Sequence, residues 1–135
     1  MLPVFKPLGH EELPLTEAVG RYVSRDVHAA FDSPSFDNSA MDGYAVRAAE
    51  VATAAADTPV VLNVRGESRA GGPLPSALNP GAACRIFTGA PMPEGADAIV
   101  IQEDTKREGD RVEIFEASPF GKYIRGQGSD VGAGQ

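Results

Sequence analysis

The chain has 135 residues, a formal net charge of −7 and a single cysteine, so it holds one domain, or one domain and part of another, with length enough for a real core. The acidic balance excludes an electrostatic footprint for nucleic acid or for an anionic membrane surface. Cys84 alone excludes an internal disulfide and a cysteine metal cage, and no apolar run approaches a membrane span.

Residues 1–13 carry Pro3, Pro7 and Gly9 and read as a loose lead-in without a signal-peptide pattern, which with the lone cysteine places the chain in the cytoplasm. Thr16 ahead of Glu17-Ala18-Val19 has the form of an N-cap with an acidic first turn, opening a short helix that Gly20 ends. Tyr22-Val23 and Val27-His28-Ala29-Ala30 read as strand pieces, and Asp32-Ser33-Pro34-Ser35 as a turn cluster. Asp42-Gly43 between apolar neighbours is a hairpin signal, because both turn positions need positive φ. Asp42 is then either a turn residue or a carboxylate held at the tip of a turn. Asp37 and Asp42 lie roughly 17 Å apart in an extended chain, on opposite faces. They share a site only if Asn38-Ser39 turns the chain.

The run Ala48–Ala56 favours a short helix that stops before Asp57-Thr58-Pro59. Val60, Leu62 and Val64 alternate with Val61, Asn63 and Arg65 as in a half-buried strand. Loops follow at 70–75 and 79–81. Ala83–Phe87 reads as a strand delivering 88–95 to a loop, and Ala98–Ile101, apolar on both faces, predicts a central strand. Arg111–Ile114 alternates after a turn at Gly109-Asp110, and Tyr123-Ile124-Arg125 leads into a last loop, Gly126–Asp130. With 15 glycines and 11 prolines, several short strands and no βαβ pattern, the fold is mostly β, α+β at most. The expectation is a complex β-barrel-like domain of short, coiled strands with one or two short helices. Its parts are a lead-in over 1–30 from a neighbouring domain, a β-rich domain over 31–131, and a truncated tail over 132–135.

Three polar loops, 37–43, 88–95 and 126–130, sit where a β scaffold usually displays binding groups. Thr88-Gly89 offers a hydroxyl and an approachable backbone, and successive N–H groups there could form an anion-binding concavity; the bland alternative is a proline-stiffened connector with Thr88 bonded to its own loop. Gly126-Gln127-Gly128 could cradle a phosphate, though no helix follows it. Asp130 is a metal-supporting carboxylate or a turn residue. Arg125, directly before that loop, suits an oxyanion, with Lys122 nearby, whereas Arg85 reads as a solvated strand-face charge. His10 and His28 lack metal-ligand spacing, Ser39 lies outside a Gly-x-Ser-x-Gly elbow, and no P-loop is present. Cys84 reads as a small core residue.

Ser35-Phe36-Asp37-Asn38-Ser39-Ala40-Met41-Asp42-Gly43-Tyr44-Ala45 resembles the signature of the MoeA/gephyrin E-domain family, the molybdopterin molybdenumtransferases. Arg85–Ala98 with Ile101-Gln102-Glu103-Asp104 is similar to the family's second block, and Ile124–Val131 to its third, of the Arg-x-x-Gly-x-Asp type. Leu15–Arg21 resembles its entry segment. The resemblance implies an enzyme that inserts molybdate into adenylylated molybdopterin with release of AMP, assisted by Mg²⁺. It implies functional positions at Asp42, Thr88 and Asp130, with Asp37, Asn38, Ser39, Gly89, Arg125 and Gly128 lining the same cleft; metal ligands stay unassigned. It further implies a homodimer, a MogA-type adenylyltransferase as a partner, and neither nucleic acid nor membrane. Family members run well beyond this length, so the chain is expected to be their N-terminal part, with the β-rich second domain, and to be inactive alone. The competing reading is a scaffold or dimerisation module.

Overall fold

The structure is a computed structural model that describes residues 9–135. Pro3 and Pro7 of the expected lead-in lie outside the described residues. The elements in chain order are β1 (Asn38–Ser39), β2 (Gly43–Val46), α1 (Ala48–Val51), β3 (Val60–Ser68), β4 (Ala82–Ile86), β5 (Ala98–Ile101), β6 (Thr105–Glu108), β7 (Arg111–Ile114) and β8 (Ile124–Arg125), with 3₁₀ turns at Leu15–Glu17 and Gln102–Asp104. The fold is mostly β, as the turn density predicts.

Six strands form a curled sheet in the order β5-β2-β4-β3-β7-β6, and β1 pairs with β8 separately. All neighbours in the large sheet are antiparallel except β3 and β4. The period-2 alternation sorts the inner strands onto two cores. Tyr44, Val46, Leu62, Val64, Ala83, Val100, Val112 and Ile114 pack on one face. Ala45, Cys84, Ile86 and Ile99, with Leu78 and Ala90 from loops, pack on the other. Cys84 is a buried free thiol whose pKa is pushed up to about 11, by burial first and by the charge of Glu67 second. It is an inert core residue, as its apolar neighbours predict.

Several local expectations give way to tertiary partners. The cap expected at Thr16 is absent: the 3₁₀ turn opens two residues earlier, at Leu15 behind Pro14, with no side-chain cap. The strand pieces expected at Tyr22-Val23 and Val27–Ala30 do not form, because the described chain offers that segment almost no backbone partner. Only Ala29 is bonded, its N–H donating to the Gln135 carbonyl and its carbonyl accepting from Gly134. The helix after Arg47 covers only Ala48–Val51. Strand β5 is not central but stands at one end of the sheet. Its residues are buried because the segment 118–122 covers the outer edge: Ile99 N–H donates to the Lys122 carbonyl and the Ser118 hydroxyl to the Ile99 carbonyl. The opposite edge, β6, carries exposed Lys106, Arg107 and Glu108.

The hairpin expected at Asp42-Gly43 is also absent. Gly43 opens β2 without a positive φ, and its role is steric. A Cβ at this position would sit 2.0 Å from the Val100 carbonyl oxygen of β5. Glycine therefore sets how closely β2 and β5 approach where the chain leaves the polar stretch. Gly43→Ala is expected to destabilise the chain by about 3 kcal/mol in urea unfolding, through forced separation of β2 from β5. An unchanged unfolding midpoint would refute this close approach.

Candidate functional site

The polar stretch 36–43 runs between the other two polar loops. On one side β1 pairs with β8, Asn38 opposite Arg125 and Ser39 opposite Ile124. On the other side it bonds the loop after β4: Ser39 N–H donates to Ala90 O at 3.0 Å, Gly89 N–H to Ser39 O at 2.8 Å, and Met92 N–H to Asp37 O at 3.0 Å. Asn38 and Ser39 are extended, so Asp37 and Asp42 leave opposite ends of a short strand. The turn comes after them, at 40–42, where Ser39 Oγ donates to the Met41 carbonyl and accepts from Met41 N–H. Ala40 N–H donates to the Tyr123 carbonyl at 2.8 Å, and Tyr123 holds a positive φ of 62° there.

At the first end, Asp42 Oδ1 accepts from Thr88 N–H at 2.8 Å and from Thr88 Oγ1 at 2.9 Å. Thr88 is thus bonded to a carboxylate 46 positions away and not to its own loop. These two donors, the backbone N–H foremost, hold the Asp42 carboxyl below its ordinary value of 3.8; the nearby charge of Arg85 acts the same way and desolvation opposes them. Oδ2 of Asp42 has no protein partner among the described residues. Arg85 is not a solvated strand-face charge. Its Nη1 donates to Gly43 O at 3.0 Å and its Nη2 to Gln102 Oε1 at 2.9 Å.

At the second end, Asp37 Oδ1 accepts from Gln127 N–H at 2.7 Å. Asp32 accepts from Gln127 Nε2 at 2.6 Å and from Ala133 N–H at 2.8 Å, which lowers its pKa, the Ala133 bond contributing most. Arg125 Nη2 donates to Asp130 Oδ2 at 2.6 Å, with both side chains about half exposed (48% and 50%). Arg125 is therefore already paired, and Asp130 is its counter-charge. Gly128, at φ 69°, sits against Asp32. Asn38 and Ser39 are buried; the Asn38 side chain donates to Phe36 O, and its Oδ1 is buried without a partner.

The anion-binding concavities expected at 88–89 and 126–128 are mostly closed, because all their amides but that of Gly126 donate internally. Thr88, Gly89 and Ala90 donate to Asp42, Ser39 and Phe87. Gln127, Gly128, Ser129 and Asp130 donate to Asp37, Pro34, Gly126 and Ser33. The loops carry the carboxylates of Asp32, Asp37, Asp42 and Asp130 as acceptors of these and neighbouring bonds. The Asp42–Thr88 and Asp37–Asp32–Gln127 groups share β1 but no direct hydrogen bond. No set of three His, Cys, Asp or Glu side chains among the described residues is placed to hold a metal ion by itself. Sequence reasoning missed Asp32, Gln127 and Gln102 as site-holding residues, since their partners lie far along the chain and leave no local signal.

All 135 residues match the family model described as the MoeA N-terminal region, domains I and II. Among curated proteins, the chain is 44% identical over 129 residues to a molybdopterin molybdenumtransferase of Synechococcus elongatus, covering 95% of this chain and 32% of that protein. It is 48% identical over 122 residues to molybdopterin molybdenumtransferase 2 of Mycobacterium tuberculosis, covering 90% and 30%. A crystal structure of the molybdopterin biosynthesis MoeA protein of Pyrococcus horikoshii OT3 superposes with a TM-score of 0.87 at 39% identity, over 93% of this chain and 33% of that one. The chain thus spans about a third of the length of the relatives it matches.

The lowered pKa of Asp42 fixes a pH dependence. A carboxyl titrating lower in the folded chain than in the unfolded one adds stability above the unfolded value, and that contribution fades as pH falls through the folded value. Thermal unfolding followed from neutral pH down through 3.8 is therefore expected to show a smaller acid loss in Asp42→Asn than in the parent chain. Thr88→Val, which removes the hydroxyl donor, is expected to raise the Asp42 pKa in an NMR titration. Identical acid profiles in parent and Asp42→Asn would contradict the Asp42–Thr88 bonding.

Proposed function

This chain belongs to the MoeA family as its N-terminal region, and on that premise we propose that it forms the carboxylate-bearing part of an enzyme inserting molybdate into adenylylated molybdopterin with release of AMP. The observation that carries the reading is the bonding from Thr88 to the Asp42 carboxylate. It joins two motif loops and leaves Oδ2 of Asp42 free to face a substrate. In this reading Asp42 is the working carboxylate, and Thr88 holds it ionised and in place. Gly89 stands beside this pair and Ser39 supports it from beneath, while Asp37, Asn38, Arg125, Gly128 and Asp130 form the neighbouring group at the other end of β1, which this reading assigns to the same border.

Molybdate and the adenylylated pterin are both anions, and carboxylates repel anions unless a cation intervenes. The polar loops hold few free donors, so the cations come from the rest of the protein, from its homodimer partner, or from Mg²⁺. The residues present suit Mg²⁺ in one respect. That ion commonly takes only one or two carboxylates and fills its remaining positions with water and substrate phosphate. Asp42 Oδ2 is the ligand this chain would offer. Bound there, the ion would supply charge neutralisation at the phosphate. A cytoplasmic setting and delivery of substrate by a MogA-type adenylyltransferase complete the proposal. No helix among the described residues is long and apolar enough to cross a membrane.

One observation favours the second reading, a docking or dimerisation module: Leu15, Val19, Tyr22, Val23 and Val27 are all exposed in the lead-in. Asp42→Asn in the full-length protein separates the two. The enzyme reading expects molybdenum insertion to fall about a hundredfold or more with dimerisation unchanged. Normal insertion by that variant would leave only the docking reading. The 135-residue chain alone is expected to show no turnover in the same assay, and insertion by it would overturn the division of labour described here.

A further inference from the structure

Arg85 lies on β4, three residues before Thr88, and opposite Tyr44 of β2 in register. Its guanidinium is held at several points. Nη1 donates to the Gly43 carbonyl at 3.0 Å, and Nη2 donates to Gln102 Oε1 at 2.9 Å. Gln102 in turn donates its backbone N–H to the Asp42 carbonyl at 3.0 Å. The guanidinium lies 4.6 Å from the centroid of the Phe87 ring and 5.3 Å from that of Tyr44. Arg69, from the end of β3, lies 5.7 Å from the same Phe87 ring. The result is a bracket around one short piece of backbone. The carbonyls of Asp42 and Gly43 are both held, one through Gln102 and one directly.

We propose that Arg85 is the positioning residue for the Asp42 carboxylate: it fixes the backbone from which that carboxylate projects onto Thr88, leaving one oxygen outward. The bracket needs a planar side chain with separated donors and faces that stack on aromatic rings. An ammonium group cannot donate to both Gly43 O and Gln102 Oε1 from a position beside the Tyr44 and Phe87 rings. The same guanidinium adds positive potential beside Asp42, in agreement with the depressed titration of that carboxyl. Carboxylate placement within a fraction of an ångström is what a site needs when it must meet a reacting group in one geometry. The functional meaning of this placement rests on the reading of Asp42 as the working carboxylate.

The test uses the 135-residue chain and two NMR readouts, the titration of the Asp42 carboxyl and the exchange of the Thr88 amide proton. Arg85→Gln is expected to raise the Asp42 pKa and to speed Thr88 amide exchange about tenfold relative to the parent. Arg85→Lys is expected to keep part of the Asp42 shift while losing the amide protection, because it restores charge but not the bracket. A lower melting temperature with both readouts unchanged would make Arg85 merely structural and overturn the proposal. Should Arg85→Gln not fold, Gln102→Ala removes the exposed arm of the bracket. Faster Thr88 exchange in that variant supports the proposal, and unchanged exchange overturns it. Neither readout involves molybdenum insertion. A chain that shows both effects, from an enzyme indifferent to Asp42→Asn, would keep this inference and lose the functional reading.

Discussion

Two residues, Asn38 and Ser39, bond through their backbones to neighbours on both sides, and the arrangement of the polar loops depends on those bonds. One side of this strand meets β8, and the other meets the loop after β4. A strand so short has little stability of its own. It is held because Ser39 is fully buried and its hydroxyl closes the turn at Met41. The carboxylates at its two ends then secure the neighbours: Asp37 holds the last loop through Gln127, and Asp42 holds the middle loop through Thr88. Each acidic side chain works as a clasp before it can work as a chemical group.

Much of the scaffold was legible because it follows period-2 alternation. Leu62 and Val64 are buried where the pattern places them, and Val61, Asn63 and Arg65 are exposed. Cys84 is buried among apolar neighbours as its strand predicts. The strand-and-loop pattern located all three polar loops, and the resemblance named the positions within them. The failures share one cause, which is that local pattern does not see a distant partner. Asp42-Gly43 has the composition of a hairpin turn, but the glycine is needed for the approach to Val100. Ala98–Ile101 has the composition of a central strand, but it is an end strand with its edge covered by 118–122. Arg85 has the spacing of a surface charge, but Tyr44, Phe87, Gly43 and Gln102 engage it. Thr88 and the glycine-rich loop resemble donor cradles, but most of their N–H groups are used by the chain itself.

That last point shapes what the polar border can contribute. Buried or structured N–H groups rarely stay unpaired, so a loop whose amides already have partners has no donors left for an anion. Arg125 with Asp130, and Lys122 with Glu116, are likewise neutralised in place. The border that remains is rich in acceptors. An anion approaching it needs positive charge from another source, whereas a cation or a donor group would be received directly.

The spacing of the clasps also governs how the molecule can come into being. Asp42 and Thr88 stand 46 positions apart, Asp37 and Gln127 stand 90 apart, and Asp32 and Ala133 stand 101 apart. Closing such long loops costs chain entropy before any contact is gained, and topologies of this type fold slowly. During synthesis the sheet can begin to assemble from its hairpins while β1 still lacks half of its neighbours. The polar border takes shape only after the glycine-rich loop has left the ribosome, so its geometry matures later than the sheet that carries it.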